Sequence, residues 1–396
     1  MANSILTPTA VTRKALQILH QKLNFVGNIN RQYDDSFAKS GAKIGSQLKI
    51  RLPNQYTVRT GASLSTQDTT ENSTTLSVAT QKGVDTTFTT NELTLSLDDF
   101  SSRILEPAMA VLAANIEADA LSMVKDVYQN VNNIGSAITL NKVLGGRKAL
   151  TDALAPSDKR KLLLNTQDNL DLVDSLKGLF QDGSTIAKQY REGMVGSTAG
   201  FGDIYENTLI ANQNTGTAAS ATTYTVNGAG QTGSGVIVAV GATTFKAGDI
   251  VTFAGCNRVH PETKVDTGVL QQFVITADYA GGAGTLAISP AIVATGGTQN
   301  VSASPTNGGA VTKVGGASAI YKPSLAFHEN AFTFATADLE DVSQYGAWGA
   351  REVFDGISIR IARQYAISSD TIPCRIDVLY GYKTIRPELA CRILSN

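Results

Sequence analysis

The stretch FKAGDIVTFAG, Phe245 to Gly255, lies within a long tract built mostly of Gly, Thr, Ala and Val. It reads as a turn, Lys246-Ala247-Gly248-Asp249, that feeds a strand with apolar Val251 and Phe253 on one side of the pleat. Further short strand candidates surround it, GVIVAVG, QQFVITAD and GTLAISPAIV, separated by glycine-rich turns. This predicts a small barrel or sandwich with Phe245, Val251, Phe253 and Phe273 in its core. Two Gly/Thr/Ser-rich segments, NQNTGTAASATTYTVNGAGQTGSG and SPTNGGAVTKVGGASAIYKP, bracket the tract, so the β-unit reads as an insertion into another domain's chain.

That host is visible on both sides. A chain of 396 residues with 42% hydrophobic content is expected to form two or three domains with real cores. Near the start, Thr7 and Pro8 give an N-cap with proline at the first helical position, and Val11, Ala15, Ile18, Leu19 and Leu23 recur at helical spacing. The helix reads as an arm that buries its stripe on something else, another copy included. From Gly45 to Thr90 the period changes to two, through QLKIRL, YTV, TTLSVAT and VDTTFTT. The polar GASLSTQDTTENST between these runs has Leu64 as its one large apolar residue, which predicts a long projecting hairpin that lies against a neighbouring surface.

Next comes an apolar stripe from Phe100 through Ile104, Val111 and Leu112 to Val131, with Asp98 and Asp99 as N-terminal acids. Asp98 to Val131 as one helix would span ~50 Å, bent at Pro107, in a flat, elongated subunit. RKLLLNTQDNLDLVDSLKGLF then predicts a buried strand at Leu162 to Leu164 and a helix with Leu170, Val173, Leu176 and Leu179 facing inward. The host domain resumes at AFHENAFTFAT.

Charge excludes some functions. With 33 basic against 34 acidic residues, the chain is no polycation, and any DNA contact is expected to be weak and non-specific. The charge is polarised: Met1 to Thr60 holds nine basic against two acidic residues, and Gly61 to Asp126 holds ten acidic against three basic. Copies could therefore pair head to flank, although for any single residue a solvated face of one fold is the better reading. Cys256, Cys374 and Cys391 form no CxxC pair or disulfide framework, which points to folding in a reducing cytoplasm. No signal-peptide pattern and no membrane-length apolar run is read, so no membrane partner is expected.

Motifs for chemistry fail on context. Gly228, Gly230 and Gly233 match the dinucleotide fingerprint, but VIVAV follows where a helix is needed, so a flexible turn is the better reading. Cys256 and His260 could be half a metal site, but His20 and His328 lie in unrelated elements and no set of four ligands is present. His328 reads as a packing or hydrogen-bonding residue at a strand edge. Trp348, near Tyr345 and Phe354, reads as a loop anchor, and Asp98 with Asp99 as capping acids. There is no nucleophile elbow, HExxH or Walker loop, so neither enzyme activity nor a cofactor is expected.

The order of arm, hairpin, long helix, LLLN strand and inserted β-unit resembles the major capsid proteins of tailed double-stranded-DNA phages, closest to the P22 type. The segments YKPSLAFHENAFTFATADLE and FDGISIRIARQYAISSDTIPCRIDVLYGYKTIRPELACRIL are similar to that family's closing strands, with Tyr380, Gly381, Arg386, Pro387 and Glu388 as their most motif-like residues. The resemblance implies an α+β capsid fold divided into an N-terminal arm (1–44), E-loop hairpin (45–92), spine helix and peripheral domain (93–135), first axial part (136–212), inserted β-barrel (213–318) and closing strands (319–396). It also implies an icosahedral virion shell of hexamers and pentamers, with scaffolding and portal proteins as partners. Relatives use a charged loop of the inserted domain to bridge capsomers across two-fold axes, whereas VNGAGQTGSGV is short and uncharged here. A β-rich phage tail or receptor-binding protein is the alternative, and the long helix argues against it. Expected assembly contacts are Leu16, Leu19 and Leu23 docking the arm, Arg51 and Arg59 anchoring the hairpin to acidic partners, and Leu64 at its tip.

Overall fold

A computed structural model describes residues 8–31, 47–64, 66–67, 71–89, 104–176, 199–339, 342, 346, 348–354, 357–367 and 371–395. In chain order, α1 (Pro8–Lys22) precedes β1 (Gln47–Arg51), β2 (Ser73–Ser77), β3 (Thr80–Thr89) and α2 (Glu106–Leu121). Then come β4 (Asn130–Asn132), α3 (Leu140–Asp152), β5 (Arg160–Leu164), α4 (Thr166–Leu176), β6 (Asp203–Glu206) and β7 (Gln213–Asn214). Six strands follow, β8 (Ala221–Thr225), β9 (Gly233–Val238), β10 (Ile250–Val259), β11 (Asp266–Ile275), β12 (Gly284–Ile292) and β13 (Ala310–Lys313). The last are β14 (Ile320–His328), β15 (Phe332–Ala337), β16 (Trp348–Phe354), β17 (Ile357–Arg363), β18 (Thr371–Thr384) and β19 (Ala390–Ser395). The chain divides into two units, one within Met1–Arg51, Ser73–Leu121 and Phe332–Ile385, the other within Leu52–Asn72, Ser122–Ala331 and Arg386–Asn396.

The first unit is organised by β18, which pairs antiparallel with β3, β15 and β17, while β16 continues the sheet from β17. Alternation buries Ile376, Val378 and Tyr380 of this strand. The stripe of α1, including Val11, Ala15, Ile18 and Leu19, is buried against α2, β16 and β17 of the same chain. The arm helix therefore spends its apolar face at home, and needs no second copy to cover it.

The long helix is shorter than its stripe predicts. α2 covers Glu106 to Leu121, a 3-10 turn continues over Ser122 to Asp126, and Val131 lies in β4 paired parallel with Ile393 of β19. Pro107 is the second residue of α2 and follows a π-helical pair, Ile104 and Leu105. Val111, expected on the stripe, is 58% exposed. Asp98, Asp99 and Phe100 lie outside the described residues. Glu106 to Asp126 does have the length and composition of a membrane span, which amends the expectation that no run comes close. Its apolar side, Met109, Leu112, Ile116 and Leu121, is covered by protein.

In the second unit the sheet order is β4-β19-β14-β5-β6, with β4–β19 and β5–β6 parallel and the remaining pairs antiparallel. The predicted strand at Leu162 to Leu164 lies in β5, with all three leucines buried. On α4 it is Leu172 that points inward, while Leu170 is 62% exposed. Asp168 turns this helix, since its carboxylate accepts from Ser324 Oγ and Asn165 Nδ2 and so fixes which side meets the sheet. Leu179 lies outside the described residues.

The inserted tract forms an antiparallel barrel in the order β8-β13-β10-β11-β12-β9. It closes where Val226 bridges Val238, with Ala239 N–H donating to Thr225 O at 2.8 Å and Asn227 N–H to Ile237 O at 2.9 Å. Closure leaves no free sheet edge. The barrel's entry and exit are also joined, because β7 pairs with β14 through Asn214–Ile320 and Gln213–Tyr321. YTV at residues 56–58, expected as a strand, is irregular, and it is β1 and β2 that pair, from Gln47–Ser77 to Arg51–Ser73.

Candidate assembly surface and barrel junction

Phe245, Val251, Phe253 and Phe273 are all fully buried in the barrel core, with the Phe253 and Phe273 rings 5.4 Å apart. The turn read from Lys246 to Asp249 is present: Asp249 N–H donates to Lys246 O at 3.0 Å, and Asp249 Oδ2 accepts from Lys246 N–H at 2.9 Å and Gly216 N–H at 3.0 Å. Gly248 has φ +96°, and a Cβ there would collide with the side-chain carbonyl of Gln213. Only glycine fits this turn without strain.

Against the turn lies Arg392, on β19 and completely buried, with Nη1 donating to Gly248 O at 3.0 Å. Burial draws its guanidinium down to about 10, with Asp249 and Asp126 opposing the shift. Burial likewise raises Asp249 and lowers Lys313, whose Nζ donates to Gly316 O at 2.8 Å. The turn and Arg392 of the C-terminal strand thus join barrel to host sheet, with Lys313 buried on the barrel side of the junction. Sequence reading missed Arg392 because both faces of ACRILS are buried, so strand alternation carries no polar signal.

The expected assembly residues divide into two sets. Leu16, Leu19 and Leu23 are 2%, 0% and 5% exposed. The chain that follows α1 is tied to α2 by Glu117, itself buried, whose carboxylate accepts from Phe25 N–H and, at 3.2 Å, from Val26 N–H. In the second set, Arg51 is exposed opposite Ser73, and Leu64 is 83% exposed. Within its own loop Arg59 bonds Gly61 O and, at 3.1 Å, Ser63 O. Gln67 grips Thr57 across the loop, accepting from its N–H at 2.8 Å and donating to its O at 2.6 Å. The loop passes Gly297 of the barrel so closely that a Cβ there would lie 2.6 Å from Gln55 O. Polar side chains hold it in shape where strands were expected.

Part of the acidic tract is engaged within the chain. Asp119 accepts from Lys82 Nζ at 2.7 Å and from Tyr380 Oη at 2.5 Å. Outside these contacts, the three glycines of the nucleotide-like motif form the turn from β8 into β9, all at positive φ. His260 Nδ1 accepts from Glu262 and Thr263 N–H at 3.3 and 3.2 Å, which closes the β10–β11 turn, while Cys256 is buried in the barrel core. His328 Nδ1 accepts from Asn330 N–H at 3.2 Å. Trp348 starts β16 with Arg363 3.5 Å above its ring, a strand-to-strand contact rather than a loop anchor.

Residues 9–394 match the family model described as P22 coat protein, gene protein 5. The chain belongs to the P22 coat protein family. It is a structural capsid protein, the class the order of elements implies. No curated protein sequence matches it. Among solved structures, a Mycobacterium phage Che8 chain is similar at 13% identity and TM-score 0.48, covering 94% of this chain and 90% of that one. The bacteriophage PhiM1 mature capsid matches at 10% identity and TM-score 0.43 (94% and 89% covered), and the Helicobacter pylori bacteriophage KHP40 head at 9% and 0.43 (91% and 86% covered).

Proposed function

We propose that this capsid protein tiles, as hexamers and pentamers, into an icosahedral phage head that encloses double-stranded DNA. Assembly takes place in the host cytoplasm with scaffolding and portal proteins, and contact with the packaged DNA is weak and non-specific. The observation that carries the reading is the family match over residues 9–394. The division of labour among residues supports it: Leu16, Leu19 and Leu23 hold the arm on its own core, while Arg59 shapes a loop that offers Leu64, Val58 and Tyr56 to solvent. A closed container suits subunits with several modest contacts, because wrong joins then dissociate and are replaced.

The test is negative-stain electron microscopy and sedimentation of the purified chain at rising concentration, with and without host lysate. Closed shells with a sharp onset are expected. A chain that stays monomeric under every condition overturns the reading.

A further inference from the structure

Gly228, the first glycine of the nucleotide-like motif, belongs to a second pattern. The sequence contains two Asn-Gly dipeptides, Asn227-Gly228 and Asn307-Gly308, and both fall in the inserted tract. The barrel sets them side by side, one at the end of β8 and the other just before β13. Gly228 N–H donates to Asn307 Oδ1 at 2.8 Å, and Gly308 N–H donates at 2.8 Å to Val226 O, the carbonyl that precedes Asn227. Val226 N–H returns a bond to Gly309 O at 2.9 Å, so the two turns hold each other. Both glycines have positive φ, +112° at Gly228 and +72° at Gly308.

Asn-Gly is the dipeptide at which an asparagine side chain cyclises most readily, because glycine puts no Cβ beside the attacking nitrogen and leaves the backbone free to turn. The glycine backbone nitrogen gives up its proton to water and attacks Asn Cγ. The bond from Cγ to the side-chain nitrogen breaks, ammonia leaves, and a five-membered succinimide remains. Water then adds to either ring carbonyl and opens it to Asp or to isoaspartate, whose main chain is one carbon longer. Asn227 and Asn307 are both exposed, so water reaches them. The fold nevertheless occupies both attacking groups, Gly228 N–H with Asn307 and Gly308 N–H with Val226 O. Asn307 is held at a second atom as well, since its own Oδ1 is the acceptor for Gly228.

We propose that these paired turns are a deamidation site with a reciprocal guard, Asn227 and Asn307 each being sheltered while the other is intact. Asn227, held at its nucleophile alone, converts first. Its isoaspartate form displaces Gly228 and Val226, which releases both ties on Asn307. Each event adds a negative charge to the runs Asn207–Phe245 and Tyr279–Thr312, which contain no Asp, Glu, Lys, Arg or His.

The test incubates the full chain at mildly alkaline pH, folded and in urea, and reads Asp and isoaspartate at both turns by peptide mapping with mass spectrometry. In the folded chain both conversions should be slowed about tenfold relative to urea, the factor that one hydrogen bond supplies, with Asn227 ahead of Asn307. Asn307→Ala removes the acceptor and should return Asn227 to its rate in urea, whereas Asn307→Asp keeps an oxygen there and should leave Asn227 slow. Melting of both variants should match wild type, since position 307 is exposed. If Asn307→Ala melts early, amide exchange in wild type decides, with Gly228 expected to exchange about tenfold slower than Gly230 of the same turn. Equal conversion in the folded chain and in urea overturns the guard. So does slow Asn227 in a stable Asn307→Ala chain, fast Asn227 in Asn307→Asp, or exchange at Gly228 as fast as at Gly230. Conversion of Asn307 ahead of Asn227 overturns the order of events. None of these readouts depends on shell formation.

Discussion

Replacing Phe253 by Ala removes a ring with no solvent exposure, packed 5.4 Å from Phe273 at the centre of the barrel. Such truncations cost ~3–5 kcal/mol, part from lost transfer energy and part from the cavity left behind. The aromatic pair favours the upper half of that range, since such pairs contribute ~0.5–1.5 kcal/mol beyond area. For a domain of this size a loss of ~4 kcal/mol lowers the melting temperature by ~16–32 °C, enough to unfold the barrel at growth temperature. Calorimetry gives the shift, and hydrogen exchange across β10 and β11 shows that it belongs to the barrel. Phe253→Leu should cost less, ~1.5 kcal/mol, and Val269→Ala, at a 57% exposed position on β11, should be neutral within ~0.5 kcal/mol. A Phe253→Ala chain that melts within ~2 °C of wild type refutes the core assignment.

Arg59→Asp removes the cation that gathers Gly61 O and Ser63 O, so the variant should fold as a monomer of normal stability yet form no shells in sedimentation. Normal particles from it would show that the loop's shape is dispensable. Glu117→Gln should cost ~1.5–3 kcal/mol by weakening the charged acceptor for Phe25 and Val26 N–H, read as faster hydrogen exchange at those amides. Unchanged exchange there would count against the tie. Burial raises the thiols of Cys256, Cys374 and Cys391 to about 12, 11 and 12 from the ordinary 9.0. The folded chain therefore keeps protons that the unfolded chain releases, so stability is complete below pH 9 and falls as pH rises toward 11. At pH 10.5 each thiol should subtract ~2 kcal/mol in urea titrations, and Cys256→Ala should flatten the slope by one such share. An unaltered slope in that variant would place the thiol in contact with water.

The barrel was legible because its strands are short, apolar on alternate positions and punctuated by glycine, so GVIVAVG, DIVTFAG, QQFVITAD and GTLAISPAIV map onto β9 to β12. Its outer strands β8 and β13 lie inside the stretches read as linkers, because Thr-rich ATTYT and AVTK look like loop composition until a partner strand fixes them. Helix α2 was overextended for a related reason. Val124, Val127 and Val131 continue a helical spacing, yet β-branched residues are equally at home in strands, and pairing with β19 captures Val131. The direction of the α1 stripe could not be read at all. Periodicity says that a face must be covered and not by what, and the cover here is α2, β16 and β17. Arg392 and Glu117 escaped because a charged residue in a buried strand or helix face looks like a solvated one until its partners are known.

The pairing of Gln213 with Tyr321 places the departure and the return of the barrel's chain side by side on adjacent strands. An excursion that begins and ends at one doorway leaves the host's strand ladder uninterrupted, whatever its length. The barrel can therefore vary in length and loops without displacing β14, provided the turn that receives Arg392 is kept.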